Sequence, residues 1–150
     1  MISVDVHCAF DEMEVDSSEI EVLVREVCRR HGMAQVTVSI AVVGSAEISE
    51  IHRQFLGGDD ATDCLSFDLS DEAGKIQLEI VVNGERAVHE AETRGHTPAA
   101  ELALYVTHGL LHYLGFDDAT SAQAKMMHAE EDAILRDLGY GNVFHHEVNG

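Results

Sequence analysis

Thr97–Gly115 reads TPAAELALYVTHGLLHYLG. Threonine followed by proline suits a helix N-cap and first helical position, where proline's fixed φ fits and its missing N–H is not needed. Gly115 suits the left-handed residue just past a helix end. Between them almost every position is apolar, leaving no polar face for water. Such a helix belongs in the middle of a domain, with the other elements packed round it. Its last turns carry His108 and His112, which are four apart and therefore on one face.

Working outward, ISVDVHC (residues 2–8) alternates apolar and polar residues as a strand does. DSSEIEVLVREVCRRHG (16–32) has an apolar stripe of Ile20, Leu23, Val24, Val27 and Cys28. It reads as a helix capped by Asp16 or Ser17 and stopped at Gly32. QVTVSIAVV (35–43) is a near-continuous β-branched run suited to burial on both faces. SAEISEIHRQFLGG (45–58) predicts a second helix with Ser45 as cap. TDCLSFDL (62–69) and KIQLEIVVN (75–83) read as strands, joined closely through SDEAG (70–74), which favours an antiparallel hairpin. Helices between the first three strands favour parallel crossovers. NGERAVHEAETRG (83–95) and SAQAKMMHAEEDAILRDLG (121–139) complete the helices, and residues 140–150 read as a loose tail. The sum is one α+β domain over residues 1–150, with a four-stranded mixed sheet and about five helices. A metal site is expected between the buried central helix and the turn that follows it.

That site rests on HGLLHYLGFDD (108–118). Gly115 turns the chain back, and Asp118 stands where a returning ligand would meet the histidine pair. Two imidazoles, one carboxylate and an open position suit a catalytic zinc. With ten histidines in the chain, a four-spaced pair also arises by chance. Satisfied helix-end histidines are therefore the competing reading. A zinc protease would carry His-Glu-x-x-His with the glutamate as base; Gly109 in that position argues against one.

Charge constrains the partners. Nine lysines and arginines face 28 acidic residues, a formal −19 that repels nucleic acid at long range. Any RNA site must be a local basic patch. Arg25, Arg29, Arg30 and His31 form the densest cluster, with Arg25 and Arg29 on one helical face; the alternative is a solvated helix end whose cations suit the dipole. The same charge argues against DNA as a partner, and with no apolar run able to span a bilayer and no secretory signal visible, no membrane is expected as one. Cys8, Cys28 and Cys64 read as reduced, buried thiols of a cytoplasmic protein. Met126 and Met127 read as core residues of the last helix, and His145 and His146 as part of a solvated tail.

Several stretches together resemble the YbeY family of metal-dependent endoribonucleases. The histidine segment resembles the family's H-G-x-L-H-x-x-G-Y-D-H. ATDCLSF (61–67) is similar to P-T-D-V-L-S-F, and LEIVVN (78–83) to G-D-I-x-I-S. KMMHAEEDAILRDLG (125–139) is similar to M-x-x-x-E-x-x-I-L-x-x-L-G. The matches fall in family order from about residue 36 to 139. The resemblance implies one zinc ion per chain, cleavage of single-stranded RNA, and work in ribosomal RNA processing and quality control near the small ribosomal subunit. Its alternative is a ribosome-assembly binding factor whose metal is structural.

Carried over by position, His108 and His112 are the first two ligands. Asp118 stands where the family has a third histidine. It lowers the charge of a zinc complex from +2 to +1, which predicts a less acidic bound water and weaker attraction for phosphate. His128 is an outside candidate for the third ligand. Asp117 matches the family's preceding aspartate and is expected to support the site or shape the turn. The family's arginine before the T-D motif is Leu56 here, with His52 in place of an asparagine. Arg53, one turn earlier, is the candidate to supply the missing charge, with Lys75 a poorer one. Thr62, Asp63 and Ser66 match the motif and are expected either to contact substrate or only to fix their strand.

Overall fold

The computed structural model describes residues 1–58, 62–71 and 75–140. Along the chain run β1 (Ile2–Cys8), α1 (Ser17–Arg30), β2 (Val36–Val43), α2 (Ser45–Leu56), β3 (Cys64–Asp68), β4 (Ile76–Asn83), α3 (Gly84–Arg94), α4 (Pro98–Tyr113) and α5 (Ser121–Asp137). The strands form one mixed sheet in the order β1-β2-β4-β3.

The hairpin of β3 and β4 is antiparallel, with Ser66 opposite Ile80. The expectation that the first three strands run parallel is corrected. The parallel set is β1, β2 and β4, with Val38 beside Leu78 and Ile40 beside Ile80, while β3 runs against them on the edge. In a hairpin only one arm can be parallel to β2. The arm that inserts is β4, whose Leu78, Ile80 and Val82 enter the main core while Val81 enters a smaller core on the other face. A strand buried on both sides belongs inside a sheet. The shorter β3, whose Ser66 and Asp68 are solvent-exposed, suits an edge.

Most of the core lies on one side of the sheet. There Leu23, Val24 and Val27 of α1 and Met127, Ile134 and Leu135 of α5 pack round Leu102, Val106, Leu110 and Leu111 of α4. The central helix is buried from Ala100 to Thr107 and again from Gly109 to Leu111. On the opposite face, Ile48 of α2 meets Val43, Leu65 and Val81.

The caps follow local chemistry. Asp16 accepts from the N–H groups of Ser18 and Glu19, and Thr97 from that of Ala100. Thr120 and Gln123 form a reciprocal capping box at α5. Ser45 is not the cap of α2 but its first residue; Gly44 is the cap, and the Ser45 N–H is taken by Glu85 Oε1 at 2.9 Å. Of the cysteines expected in the core, only Cys28 is fully buried; Cys64 is half-buried and Cys8 exposed, and all three are free thiols. Met127 is buried but Met126 is two-thirds exposed, because adjacent helical residues point about 100° apart. No helix among the described residues is long and apolar enough to cross a membrane. His145 and His146, with the rest of the expected tail beyond Tyr140, lie outside the described residues.

Candidate metal centre

The site is built at the C-terminal end of α4. Its helix stops in a Schellman turn: the Gly115 N–H donates to His112 O at 3.1 Å and the Phe116 N–H to Leu111 O at 3.0 Å. Gly115 supplies the left-handed φ of 101° that this turn needs. Phe116 then packs edge-on to the His31 ring, 5.7 Å between centroids. The chain is thereby turned back towards the helix, and the Asp118 N–H donates to Asp117 Oδ1 at 2.8 Å. Asp117 thus shapes the turn that carries Asp118.

His108, His112 and Asp118 each bring one ligand atom into a group whose atoms lie within 4.8 Å of one another. The two imidazole Nε2 atoms are 3.1 Å apart, and His108 Nε2 is 4.0 Å from Asp118 Oδ2. Nitrogens about 2.0–2.1 Å from a tetrahedral ion sit about 3.3 Å from each other. The histidine pair already has that separation, while Asp118 is somewhat farther away on an exposed side chain. The donor set of two nitrogens and one carboxylate oxygen fits a divalent metal.

Behind the histidines stands Glu131 of α5, its side chain 1% exposed. One carboxylate oxygen is 2.6 Å from His108 Nδ1 and the other 2.7 Å from His128 Nδ1. A carboxylate on Nδ1 holds that proton and turns the other ring nitrogen outward as a ligand. Burial works against a charged His108 ring. The hydrogen bond and charge of Glu131, joined by the charges of Asp63 and Asp118, outweigh it and raise the His108 pKa.

Close packing explains the residue between the histidines. A Cβ on Gly109 would lie 2.7 Å from Cys64 Sγ, 3.0 Å from Ser66 Oγ and 3.1 Å from Ile80 Cγ2. Position 109 faces the sheet, so no side chain there could reach the metal side as a general base. Ser66 Oγ donates to the Gly109 carbonyl at 3.1 Å and ties β3 to α4.

The cluster opens onto a cleft of about 640 Å³ between α4, α5, α3 and the start of β3. Thr62, Asp63 and Ser66 line it, as do His128 and Glu131. Four carboxylates and two guanidinium groups face the cleft, a shortage of two positive charges that one divalent cation would cancel. Cys64 and Tyr105 also line it. Burial raises both pKa values, reinforced by Asp63 at Cys64 and by Glu101 at Tyr105, so neither supplies an anionic nucleophile near neutral pH.

The basic residues proposed from the sequence lie elsewhere. Arg25 pairs with Glu21 at 2.9 Å, Arg29 with Glu26 at 2.7 Å, and Arg53 with Glu50; none of the three lines the cleft. Leu56 is half-exposed beyond them. Two arginines do line it: Arg86 and Arg94 of α3. Arg94 is held by Glu90 at 3.5 Å and by the fully buried Glu101 at 3.6 Å.

Glu131, Glu101 and Arg86 were not singled out by sequence reasoning. The signal for Glu131 was present, since it sits in the apolar stripe of Met127, Ile134 and Leu135. A carboxylate in such a stripe needs a partner.

A family model described as Endoribonuclease YbeY matches residues 5–139. A protein of that name from Bacillus pumilus is 35% identical over 117 residues, covering 70% of this chain and 74% of its own. One from Carboxydothermus hydrogenoformans is 33% identical over 133 residues, covering 86% and 92%. A solution structure from Thermotoga maritima superposes with a TM-score of 0.62 at 26% identity, covering 90% of this chain and 88% of that one.

Proposed function

The chain belongs to the endoribonuclease YbeY family, and from that premise we propose that it is a zinc-dependent hydrolase cleaving single-stranded RNA, with one ion per chain. Its substrates on this reading are ribosomal RNA precursors, handled at the small ribosomal subunit in the cytoplasm during processing and quality control. The observation that carries the proposal is the convergence of His108, His112 and Asp118 on one wall of an open cleft, with the buried Glu131 behind them.

Zinc held there would supply Lewis-acid chemistry at a phosphodiester. The chain's own residues do the rest. Glu131 holds His108 in the tautomer that presents Nε2 to the cleft. The Schellman turn and Asp117 bring the Asp118 carboxylate to the same point. Thr62 and Asp63, just before β3, line the cleft, where a bound RNA strand would meet them. The nucleophile is water or the ribose 2′-hydroxyl, and the product ends distinguish them: a 2′,3′-cyclic phosphate marks the second.

The alternative is an assembly factor with a structural metal. It is favoured by the outward-facing Leu56 and by Arg53, whose charge is spent on Glu50 outside the cleft. Asp118→Ala separates the two. Asp118 is exposed on a turn, so the enzyme reading predicts loss of cleavage of a labelled single-stranded RNA with unchanged circular dichroism. Loss of the fold, with no cleavage by the unaltered protein, would support the structural role.

A further inference from the structure

We propose that Arg86 is the residue that binds a substrate phosphate in this cleft. The assignment rests on the RNA reading above and names the cation that reading lacks.

Three observations carry it. First, Arg86 lines the cleft that His108, His112 and Asp118 also line. Second, among the described residues its side chain makes no ion pair, whereas Arg25, Arg29, Arg30, Arg53 and Arg94 each pair with a carboxylate. In a chain of net charge −19, an arginine left without an acidic partner stands out. Third, Arg86 stands where a helix does not favour it. It is in the first turn of α3, with its N–H donating to the N-cap Asn83 at 3.0 Å. The helix dipole stabilises cations in the last turn and disfavours them in the first. Arg29, Arg30, Arg53, Arg94 and Arg136 all occupy last turns. Local helix stability therefore does not account for Arg86, and an anion placed in the cleft does.

The position is also rigidly referred to the rest of the site. Asn83 is fully buried and joins the start of α3 to the start of β3. Its N–H donates to Asp63 O at 2.9 Å, and its side-chain amide donates to Thr62 O at 3.1 Å and to Ser45 Oγ at 3.0 Å. The backbone that carries Arg86 is thus fixed against Thr62 and Asp63. A guanidinium presents a planar fork of donors that matches two phosphate oxygens, while Arg94, committed to Glu90 and Glu101, is less available.

The test is equilibrium binding of the metal-loaded protein to a fluorescent 2′-O-methyl single-stranded RNA, measured by anisotropy across a salt series. Arg86→Ala, at an exposed position, is expected to keep its metal content and circular dichroism. Its affinity should fall about tenfold. Its plot of log affinity against log salt should lose about 0.7 from its slope, the share of one phosphate contact on a single strand. Arg86→Lys should retain the slope while losing part of the affinity. Equal affinity and slope in Arg86→Ala and the unaltered protein would overturn the assignment while leaving the RNA reading standing. So would a slope lost in Arg53→Ala instead. Absence of binding by the unaltered protein would overturn the RNA reading and this assignment with it.

Discussion

Gly109 shows how much a single position does here. It lets α4 approach β3 closely enough for Ser66 to bond its carbonyl, between the two histidines in sequence. Gly109→Ala would push a methyl group into Cys64, Ser66 and Ile80. The expected cost is about 1–3 kcal/mol of stability, seen as a lower midpoint in urea unfolding. An unchanged midpoint would mean that the helix shifts without cost. At this scale the candidate cluster was legible in the sequence: His108 and His112 share a helical face, and Asp118 follows a turn glycine that can bring it back to them. Arg86 was not legible, because whether an arginine is paired depends on carboxylates that meet it only in three dimensions. The same holds for Arg25, Arg29 and Arg53, which look available in the sequence and prove to be paired within their own helices.

Between elements, the decisive contact is that of α5 with the end of α4. Glu131 lies 23 residues beyond His108 in the chain, so nothing local links them, yet its carboxylate bridges His108 and His128. Glu131→Gln keeps the volume and removes the charge. Metal affinity, measured against a competing chelator, should fall about 10- to 100-fold while helix content stays the same. Undiminished affinity would mean that the carboxylate serves packing alone. The strands give the parallel lesson. The hairpin of β3 and β4 could be read from two short β runs and the turn between them. Which arm joins β2 could not be read from helix crossovers. It follows from the greater two-sided burial of β4, a property of its Leu78, Ile80, Val81 and Val82 taken together.

For the molecule as a whole, a metal held by His108 as proposed would compete with a proton for one place, and stability should register it. The His108 pKa is raised in the fold. Its contribution in metal-free protein is therefore fully present below the ordinary imidazole range and fades as pH rises through the raised value. With metal bound the sign reverses, since the ligand nitrogens must be deprotonated and binding weakens as pH falls. Melting temperatures across pH 5–8 should accordingly diverge most on the alkaline side when samples with metal and with chelator are compared. Coincident curves would mean that no metal is coupled to the fold. The composition was legible at this scale as a warning: a chain at −19 needs local positive charge to hold RNA. Where that charge sits depends on how α3 and α4 frame the cleft. The central claim is that His108, His112 and Asp118 hold a catalytic zinc, and elemental mass spectrometry of protein purified without chelator tests it most directly. About one zinc per chain is predicted, lost when His108→Ala and His112→Ala are combined. Protein free of metal, or a double variant that keeps its zinc, would contradict it.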